Sequence, residues 1–142
     1  MIFRKWELKD VGEVVALEKQ CFSDPWNADM ILSSFNLPRF IGFVAEVDGK
    51  VAGYLGATRL FEDCEILLVA VDNVYRRQKI ATKLFETLFS ALRKENVKHI
   101  FLEVRKRNEA ALKCYSALGF SKIGERAGYY GDDDAVIMEK TL

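Results

Sequence analysis

The hydrophobic and polar positions of this chain recur with two periods, one typical of strands and one typical of helices. A short strand is predicted over Ile2–Trp6. Asp10 and Glu13 then form a D-x-x-E signature of a helix start, ahead of an apolar stripe with helical spacing. Asn27 is placed to cap a second helix, which ends at Leu37-Pro38. The first part of the chain therefore predicts one strand followed by two helices.

The middle of the chain predicts a hairpin and a buried strand. Two apolar runs, Phe40–Val47 and Val51–Leu60, are joined by Asp48-Gly49. Asp-Gly between such runs favours a type I′ turn, because both central residues of that turn need a positive φ. The next strand, Glu65–Val71, is apolar on both faces, which predicts a central position in the sheet.

The remaining part of the chain alternates between helices and strands. In order, the pattern predicts a helix over Ala81–Asn96, a strand over Lys98–Val104, a helix capped by Asn108 and ended by Gly119, and strands over Phe120–Tyr130 and Ala135–Lys140. The whole series predicts an α/β fold with helices on both faces of a mixed sheet. Strands are expected to pair in parallel where a helix intervenes and antiparallel at the hairpins. Since no repeat or linker interrupts the pattern, residues 1–142 are predicted to form a single domain.

Composition disfavours several classes of protein. The 142 residues include 21 Lys plus Arg and 21 Asp plus Glu, for a formal net charge of zero. Dedicated nucleic-acid binders usually carry a basic excess. The longest apolar run, Ile66–Val71, is far shorter than the ~20 residues of a membrane span. We therefore expect no direct nucleic-acid partner and no membrane association.

Cysteine and histidine usage narrows the chemistry further. The three cysteines, Cys21, Cys64 and Cys114, lie far apart and form no C-x-x-C pair. This favours reduced thiols in a cytoplasmic protein over a disulfide framework or a structural zinc. His99 is the only histidine, so a site with several histidine ligands is impossible and we expect no metal.

A cluster of cations at a predicted helix start is the first candidate site. The stretch Tyr75–Lys83 contains four basic residues and no acidic one. A helix N-terminus carries partial positive charge, so cations there are better tolerated if an anion binds. Free backbone N–H groups together with Arg and Lys would form a phosphate site. The alternative is a solvated basic face that happens to begin a helix.

Three residues after the central strand could carry other chemistry. Glu103 shares a strand face with Phe101, so a partly desolvated carboxylate there could act as a general base. Alternatively it is paired with Arg105 or opens onto water. Tyr115 lies on the apolar side of its helix, where a tyrosine is usually part of the core. Asn108 is largely explained by its role as a helix cap.

Taken together, several segments resemble the GNAT family of acetyl-CoA-dependent N-acetyltransferases over nearly the whole chain. The segment Arg76–Ala81 resembles the family's phosphate-binding pattern Q/R-x-x-G-x-G/A, with Lys79 at the first glycine position. Leu102–Arg105 and Asn108–Phe120 resemble a later family motif. Cys21–Trp26 and the closing Tyr129-Tyr130 with Asp134–Met138 resemble the RimI-type branch, which acetylates the N-terminal alanine of a small-subunit ribosomal protein.

This resemblance implies a fold, a co-substrate and a set of roles. The implied fold is a mostly antiparallel sheet with a central, splayed parallel pair of strands. The cofactor acetyl-CoA would be held by Val69, Ala70, Val71, Arg76, Arg77, Gln78, Lys79, Ile80, Ala81, Thr82 and Asn108. Glu103 would act as the base toward the incoming amine, and Tyr115 would protonate the departing thiolate. A lysine at position 79 would adopt helical angles and add a charge.

The implied partners are acetyl-CoA and the N-terminus of a protein or peptide, with the enzyme a monomer or weak dimer. Trp26 and Tyr130 would border the peptide groove. The cluster Asp132, Asp133 and Asp134 would attract basic peptides to it, unless it is only a polar turn. Two alternatives stay open: a related enzyme acting on a lysine side chain or a small molecule, and a non-catalytic acyl-CoA-binding module.

Overall fold

Seven strands form a single sheet in the computed structural model, which describes residues 1–142. The strands are β1 (Ile2–Lys5), β2 (Phe40–Val47), β3 (Lys50–Leu60), β4 (Asp63–Val71), β5 (His99–Arg105), β6 (Ser121–Arg126) and β7 (Ala135–Thr141). The helices are α1 (Val11–Cys21), α2 (Ala28–Phe35), α3 (Ile80–Lys94) and α4 (Glu109–Ala117). These elements confirm the predicted order and the α/β class, with small shifts at their ends.

The sheet is antiparallel except at its centre. Its strand order is β1-β2-β3-β4-β5-β7-β6, so β7 lies between β5 and β6. Only β4 and β5 pair in parallel, as expected for strands joined through α3. The predicted central position of β4 is therefore confirmed.

Local signals in the sequence account for several turns and caps. Asp48 and Gly49 both have positive φ, at 52° and 78°, which confirms the predicted hairpin turn. The Asn27 carboxamide oxygen accepts the Met30 N–H at 2.9 Å and caps α2. After α4 the chain turns at Gly119, where φ is +96°.

The D-x-x-E signature correctly predicted a helix start, with Asp10 at the N-cap position of α1, but the Asp10 side chain is used differently from a cap. Its carboxylate makes no capping bond to that helix. Instead it accepts two bonds from the Arg4 guanidinium, at 2.8 and 2.9 Å, and one from the Glu7 N–H at 2.7 Å. A bidentate bond to arginine is stronger than a neutral cap, and at 2 % exposure this carboxylate needs a charged partner.

The last hairpin also differs from the prediction. Strand β6 ends at Arg126 and not at Tyr130. Gly128 and Gly131 have positive φ, at 62° and 81°, and turn the chain before it returns as β7. The tyrosine pair therefore lies in a loop between β6 and β7, outside the sheet.

Two hydrophobic clusters lie on opposite faces of the sheet. The larger cluster packs α3 and α4 against one face, with Leu84, Phe85 and Leu88 fully buried. The smaller cluster packs α1 and α2 against the other face around Trp6 and Tyr54. Helices on both faces confirm the expected layering. On the second face α1 and α2 contact mainly β2, β3 and β4, and no helix residue lines the groove over β5.

The β4–β5 pair separates along its length. Its parallel register has only three pairs, and the last is Glu65↔Phe101. Immediately beyond it, the register of β3 with β4 shifts from Ala57↔Ile66 to Gly56↔Leu68, which leaves Leu67 as a bulge. A bulge bends a strand and increases its twist, so β4 diverges from β5 at this point. The splayed parallel pair that the resemblance implied is thus present.

Candidate active site

The separated part of β4 presents backbone groups to the gap. The Asp72 N–H donates to the Ala52 carbonyl on β3 at 2.8 Å. Backbone bonding alternates along an antiparallel strand, so the groups of Ala70 also face β3, whereas those of Val69 and Val71 face the gap. Of the three residues expected to bind a pantetheine arm, two therefore have backbone donors and acceptors directed into the gap.

The turn before α3, residues 76–82, contains free N–H groups and is called here the phosphate turn. The first backbone bond from this region into the helix is Lys83 N–H to Lys79 O at 3.0 Å. The six consecutive N–H groups of residues 77–82 donate to no acceptor in the protein. The cations Arg76, Arg77, Lys79 and Lys83 have no carboxylate within 4 Å. Such an arrangement is suited to a phosphate group.

Lys79 does not adopt the helical angles expected of it. Its φ of 59° and ψ of 28° place it in the left-handed region, and Arg77 has a φ of 68°. Left-handed residues turn successive N–H groups toward one point, which forms an anion-binding nest. Glycine adopts this conformation without a Cβ penalty, which explains why the family pattern has glycine at this position.

Gly53 of β3 allows the start of α3 to lie close to the sheet. The Ile80 side chain is buried in the larger cluster, 2 % exposed, and cannot contact a ligand. A Cβ at Gly53 of β3 would lie 3.1 Å from both the Ile80 side chain and the Ala70 carbonyl. The absence of a side chain at Gly53 therefore lets the phosphate turn sit beside the separated part of β4.

Glu103 lies in the groove over β5 that no helix residue lines. This groove has a volume of about 440 Å³ and is also lined by Phe101, Glu65 and Arg126. One carboxylate oxygen, Oε1, is 3.4 Å from Nη2 of Arg126. The other, Oε2, is buried and has no hydrogen-bond partner. An unsatisfied buried acceptor is energetically costly, so a hydrogen-bond donor to this carboxylate would stabilise the site.

The alternative partner for Glu103, Arg105, is used elsewhere. Its Nη1 donates to Asp132 Oδ1 at 2.7 Å, and its guanidinium lies 4.5 Å from the centre of the Tyr130 ring. The partner of Glu103 is instead Arg126, on β6, which only the tertiary fold brings there. Nothing in the local sequence indicated this pair.

Tyr115 lies at the end of α4 with its ring in the core and its hydroxyl unbonded. The ring packs at 5.8 Å from Phe85 and 6.1 Å from Phe120, and no protein atom accepts its O–H. Burial raises the pKa of this hydroxyl above its usual value, with smaller contributions from Cys114 and Tyr130. The group therefore stays protonated at neutral pH and can donate a proton. The ring is therefore packed against the core, as one interpretation expected, while a role of the free hydroxyl as an acid stays a prediction.

Tyr130 lies within electrostatic range of both Glu103 and Tyr115. Its pKa is raised by partial burial and then by the negative charge of Glu103. It also contributes to the raised pKa of Tyr115. Tyr130 lies at the C-terminal end of β5, where its ring packs against the Arg105 guanidinium.

Asn108 acts as the cap of α4, as the sequence predicted. Its carboxamide oxygen accepts the Ala111 N–H at 3.1 Å. The amide nitrogen makes no bond within the protein, so contact with a bound co-substrate stays a prediction.

The acidic cluster of the last hairpin is used to hold the hairpin in place. Asp133 accepts the Arg107 N–H at 2.9 Å, and Asp134 accepts the Gly128 N–H at 2.8 Å. Asp132 is paired with Arg105 at 2.7 Å. These bonds favour the interpretation as a polar turn, because paired carboxylates attract a distant basic peptide only weakly. The arrangement attaches the Tyr129–Tyr130 loop to the end of β5.

One residue beside the site was not singled out by the sequence. Glu18 of α1 is 2 % exposed, accepts the Tyr54 hydroxyl at 2.7 Å and accepts the backbone N–H of Trp26 at 2.9 Å. The sequence signal that could have identified Glu18 is the presence of a glutamate within the apolar stripe of an amphipathic helix. Trp26 itself packs against the smaller cluster, which includes Leu68 and Ala70 of β4.

The splayed strands, the phosphate turn and the carboxylate beside them define an acyl-CoA-dependent acyltransferase. The Acetyltransferase (GNAT) family matches residues 11–120, so the chain belongs to this family and is an acetyl-CoA-dependent N-acetyltransferase. The chain is 31% identical over 136 residues to the [ribosomal protein bS18]-alanine N-acetyltransferase of Escherichia coli (strain K12), covering 93% of this chain and 91% of that protein.

Two solved structures have the same fold over almost their whole length. The ribosomal-protein-S18-alanine N-acetyltransferase from Escherichia coli superposes with a TM-score of 0.94 at 29% identity, covering 99% of this chain and 93% of that one. Ard1 from Thermoplasma volcanium gives a TM-score of 0.91 at 26% identity, covering 99% and 97%. No helix of the protein is long and apolar enough to cross a bilayer. No group of three or more His, Cys, Asp or Glu side chains is arranged so that it could hold a metal ion.

The residues of this chain fit the co-substrate. The pyrophosphate of acetyl-CoA is an anion that requires N–H donors and cations, and the turn over residues 77–82 offers both unpaired. The pantetheine arm contains amides, which match the backbone groups of Val69 and the N–H of Val71 that face the gap.

Proposed function

We propose that this protein is an Nα-acetyltransferase that modifies the N-terminal alanine of a small-subunit ribosomal protein in the cytoplasm. The observation that carries this proposal is the Glu103 carboxylate, which lines the groove beside the gap between β4 and β5, with Oε1 near Arg126 and Oε2 without a hydrogen-bond partner. An acceptor amine in this groove would approach the carboxylate next to the strand that would hold the thioester. The Escherichia coli relative described above, which is named for its action on ribosomal protein S18, supports the same class of acceptor.

The base required for this reaction is a modest one. An α-amino group has a pKa of about 7.7–8.0, so a substantial fraction is already neutral near pH 7.5. A lysine side chain, at about 10.4, would need a stronger base or a more desolvated site. A single carboxylate in an open groove is thus better matched to an N-terminus. In this proposal Glu103 takes the proton from the acceptor amine, directly or through a water.

The acid is Tyr115. Its hydroxyl is free and remains protonated because burial raises its pKa. Acetyl-CoA, held by the turn over residues 76–82, by Val69 and Val71, and by the Asn108 side chain, supplies the acetyl group as a thioester. Tyr115 then donates its proton to the departing thiolate, which would otherwise carry a full charge in a poorly solvated site. Holding the two reactants in contact contributes much of the rate, since proximity is worth roughly 7–11 kcal/mol.

The proposal is tested by incubating the protein with acetyl-CoA and each of three acceptors, two peptides of equal length and one small molecule, followed by mass spectrometry. The first peptide has a free N-terminal alanine, the second is N-terminally blocked and contains an internal lysine, and the third acceptor is a small aminated molecule. We expect the first to be acetylated fastest, on its α-amine. Faster modification of the lysine or the small amine would assign a different substrate class. Binding of acetyl-CoA without any transfer would indicate an acyl-CoA-binding module.

A further inference from the structure

The loop between α1 and α2 is attached to the core by one buried carboxylate. This loop, residues 22–27, is called here the α1–α2 loop. Glu18, in the last two turns of α1, uses both of its oxygens: Oε1 accepts the Tyr54 hydroxyl at 2.7 Å and Oε2 accepts the Trp26 N–H at 2.9 Å. No other side chain accepts a backbone N–H of that loop from outside it. Burial and the neighbouring Glu18 raise the pKa of Tyr54, so its hydroxyl remains a donor.

The α1–α2 loop lies beside the separated part of β4. The end of α1 meets the end of β4, since the Cys21 thiol is 3.8 Å from the Val71 carbonyl and Gln20 Nε2 is 3.2 Å from Asp72 Oδ1. The same Val71 carbonyl is 3.4 Å from Nε of Arg76, the first residue of the phosphate turn. At the other end of the loop, Trp26 packs in the cluster that contains Leu68 and Ala70 of β4. The loop thus borders the gap on the face opposite α3.

We propose that Glu18 is a positioning residue that fixes the α1–α2 loop as one wall of the acceptor groove. This inference rests on the proposed function, because it needs a peptide acceptor that contacts the loop. The tether joins the loop to Tyr54, and Tyr54 pairs with Ala70 of β4. The Glu18 side chain therefore supplies the hydrogen bonds between loop and strand, beside the packing of Trp26 in the smaller cluster. Cutting the tether frees the loop while leaving the phosphate turn and the backbone of Val69 and Val71 in place.

The chain offers a matched control on the same helix. Glu13 also accepts a backbone N–H with its carboxylate, from Val51 at 2.8 Å, but this bond joins α1 to β3 and does not involve the loop. Replacing either glutamate with methionine keeps a similar side-chain length and removes the acceptor. Both variants lose a charge-assisted bond from a backbone N–H to α1. Glu18→Met also loses the bond from the Tyr54 hydroxyl, and it alone releases the loop.

The experiment measures steady-state kinetics with an alanine-initiated peptide and acetyl-CoA binding by calorimetry, for wild type, Glu18→Met and Glu13→Met. For Glu18→Met we expect the peptide KM to rise at least about fivefold, the scale of one lost net hydrogen bond, with acetyl-CoA Kd unchanged within about twofold. For Glu13→Met we expect both constants to stay within about twofold of wild type. Glu18→Gln keeps an oxygen that can accept the Trp26 N–H, so its peptide KM should return most of the way to the wild-type value.

Three outcomes would overturn the inference. One is an unchanged peptide KM in Glu18→Met, and another is an equal rise in Glu18→Met and Glu13→Met, which would show a general effect of loosening α1. The third is a Glu18→Gln variant as impaired as Glu18→Met, which would assign the effect to charge and not to the tether. If Glu18→Met does not fold, Glu18→Gln alone tests the inference. Because this variant keeps the acceptor for the Trp26 N–H, a rise of about fivefold in its peptide KM would count against the tether. A wild type that acetylates no peptide would instead reject the proposed function.

Discussion

At the scale of single residues, the phosphate turn combines strain with unpaired charge. Arg77 and Lys79 both have left-handed backbone angles, which cost non-glycine residues roughly 1 kcal/mol each. Their side chains are exposed and without carboxylate partners. A protein that binds an anion at this turn gains attraction from each cation, which offsets the strain.

Replacing Lys79 separates these two effects. Lys79→Ala and Lys79→Gly lose the same charge, but only glycine relieves the left-handed strain. We expect Lys79→Gly to be more stable than Lys79→Ala by about 1 kcal/mol in urea unfolding, and both to bind acetyl-CoA more weakly than wild type. Equal stability of the two variants would contradict the strain argument.

Glu103→Gln removes the proposed base while keeping the side chain's size. Turnover should fall most at low pH, where few α-amines are neutral, and should partly recover as pH rises through about 8. A pH profile of kcat/KM on the alanine-initiated peptide measures this. A loss that is the same at every pH would argue that Glu103 only positions the acceptor.

Tyr115→Phe removes the proposed proton donor and keeps the packing of the ring against Phe85 and Phe120. We expect kcat to fall by about 10²-fold with the Kd for acetyl-CoA nearly unchanged. Because the pKa of Tyr115 is raised, the wild-type rate should show no loss from its deprotonation up to the ordinary tyrosine value of about 10. Full activity in Tyr115→Phe would leave Tyr115 as a core residue only.

At the scale of elements, the β6–β7 hairpin is held against the start of α4 by its aspartates. Asp133 is nearly buried, with its side chain 8% exposed, and it accepts both the Arg107 N–H and the Asp134 N–H. Asp132 is 69% exposed and pairs with a partly exposed Arg105. Two adjacent aspartates therefore contribute to stability by different amounts.

Asp133→Ala should lower the free energy of unfolding by about 2 kcal/mol, because two backbone donors lose their acceptor. Asp132→Ala should cost less than about 1 kcal/mol, as is usual for an exposed ion pair. Denaturant unfolding of the two variants provides the comparison. If the cluster instead steered basic peptides, Asp132→Ala would raise the KM of a basic peptide more than that of a neutral one.

At the scale of the whole molecule, binding and stability are linked through the ends of β4, α1 and α3, which meet at the gap. The phosphate turn begins α3, and α3 carries the largest part of the main hydrophobic cluster. A ligand that binds the folded chain alone raises its stability by about 2.7 kcal/mol at a concentration 100 times its Kd.

Acetyl-CoA should therefore raise the melting temperature, and the increase should shrink as salt is added because exposed charges are screened. Lys79→Ala should reduce the increase. Lys94→Ala serves as the control, since it removes an unpaired cation from the opposite end of α3. Equal effects of the two substitutions in a thermal-shift assay would show that only net charge matters, and not the phosphate turn.

The sequence by itself determined the elements whose signals are local. The Asp48-Gly49 turn, the caps Asn27 and Asn108 and the stop at Gly119 depend on φ preferences and on bonds to residues one turn away. Such preferences act within a few residues, so a single sequence reveals them. Glu103 and the basic turn were recognised as candidates because their residue types conflict with their predicted positions, whereas Tyr115 was assigned a role only through the family resemblance.

Only the tertiary structure decided how those candidates are used. The bulge that separates β4 from β5, the Arg126–Glu103 pair, the engagement of the acidic cluster and the Glu18 tether all join residues distant along the chain. In the same way Asp10, predicted as a cap, is drawn to Arg4 because a buried carboxylate gains more from a guanidinium than from a neutral N–H. Burial sets the energy of each of these contacts, and burial exists only once strands and helices have packed.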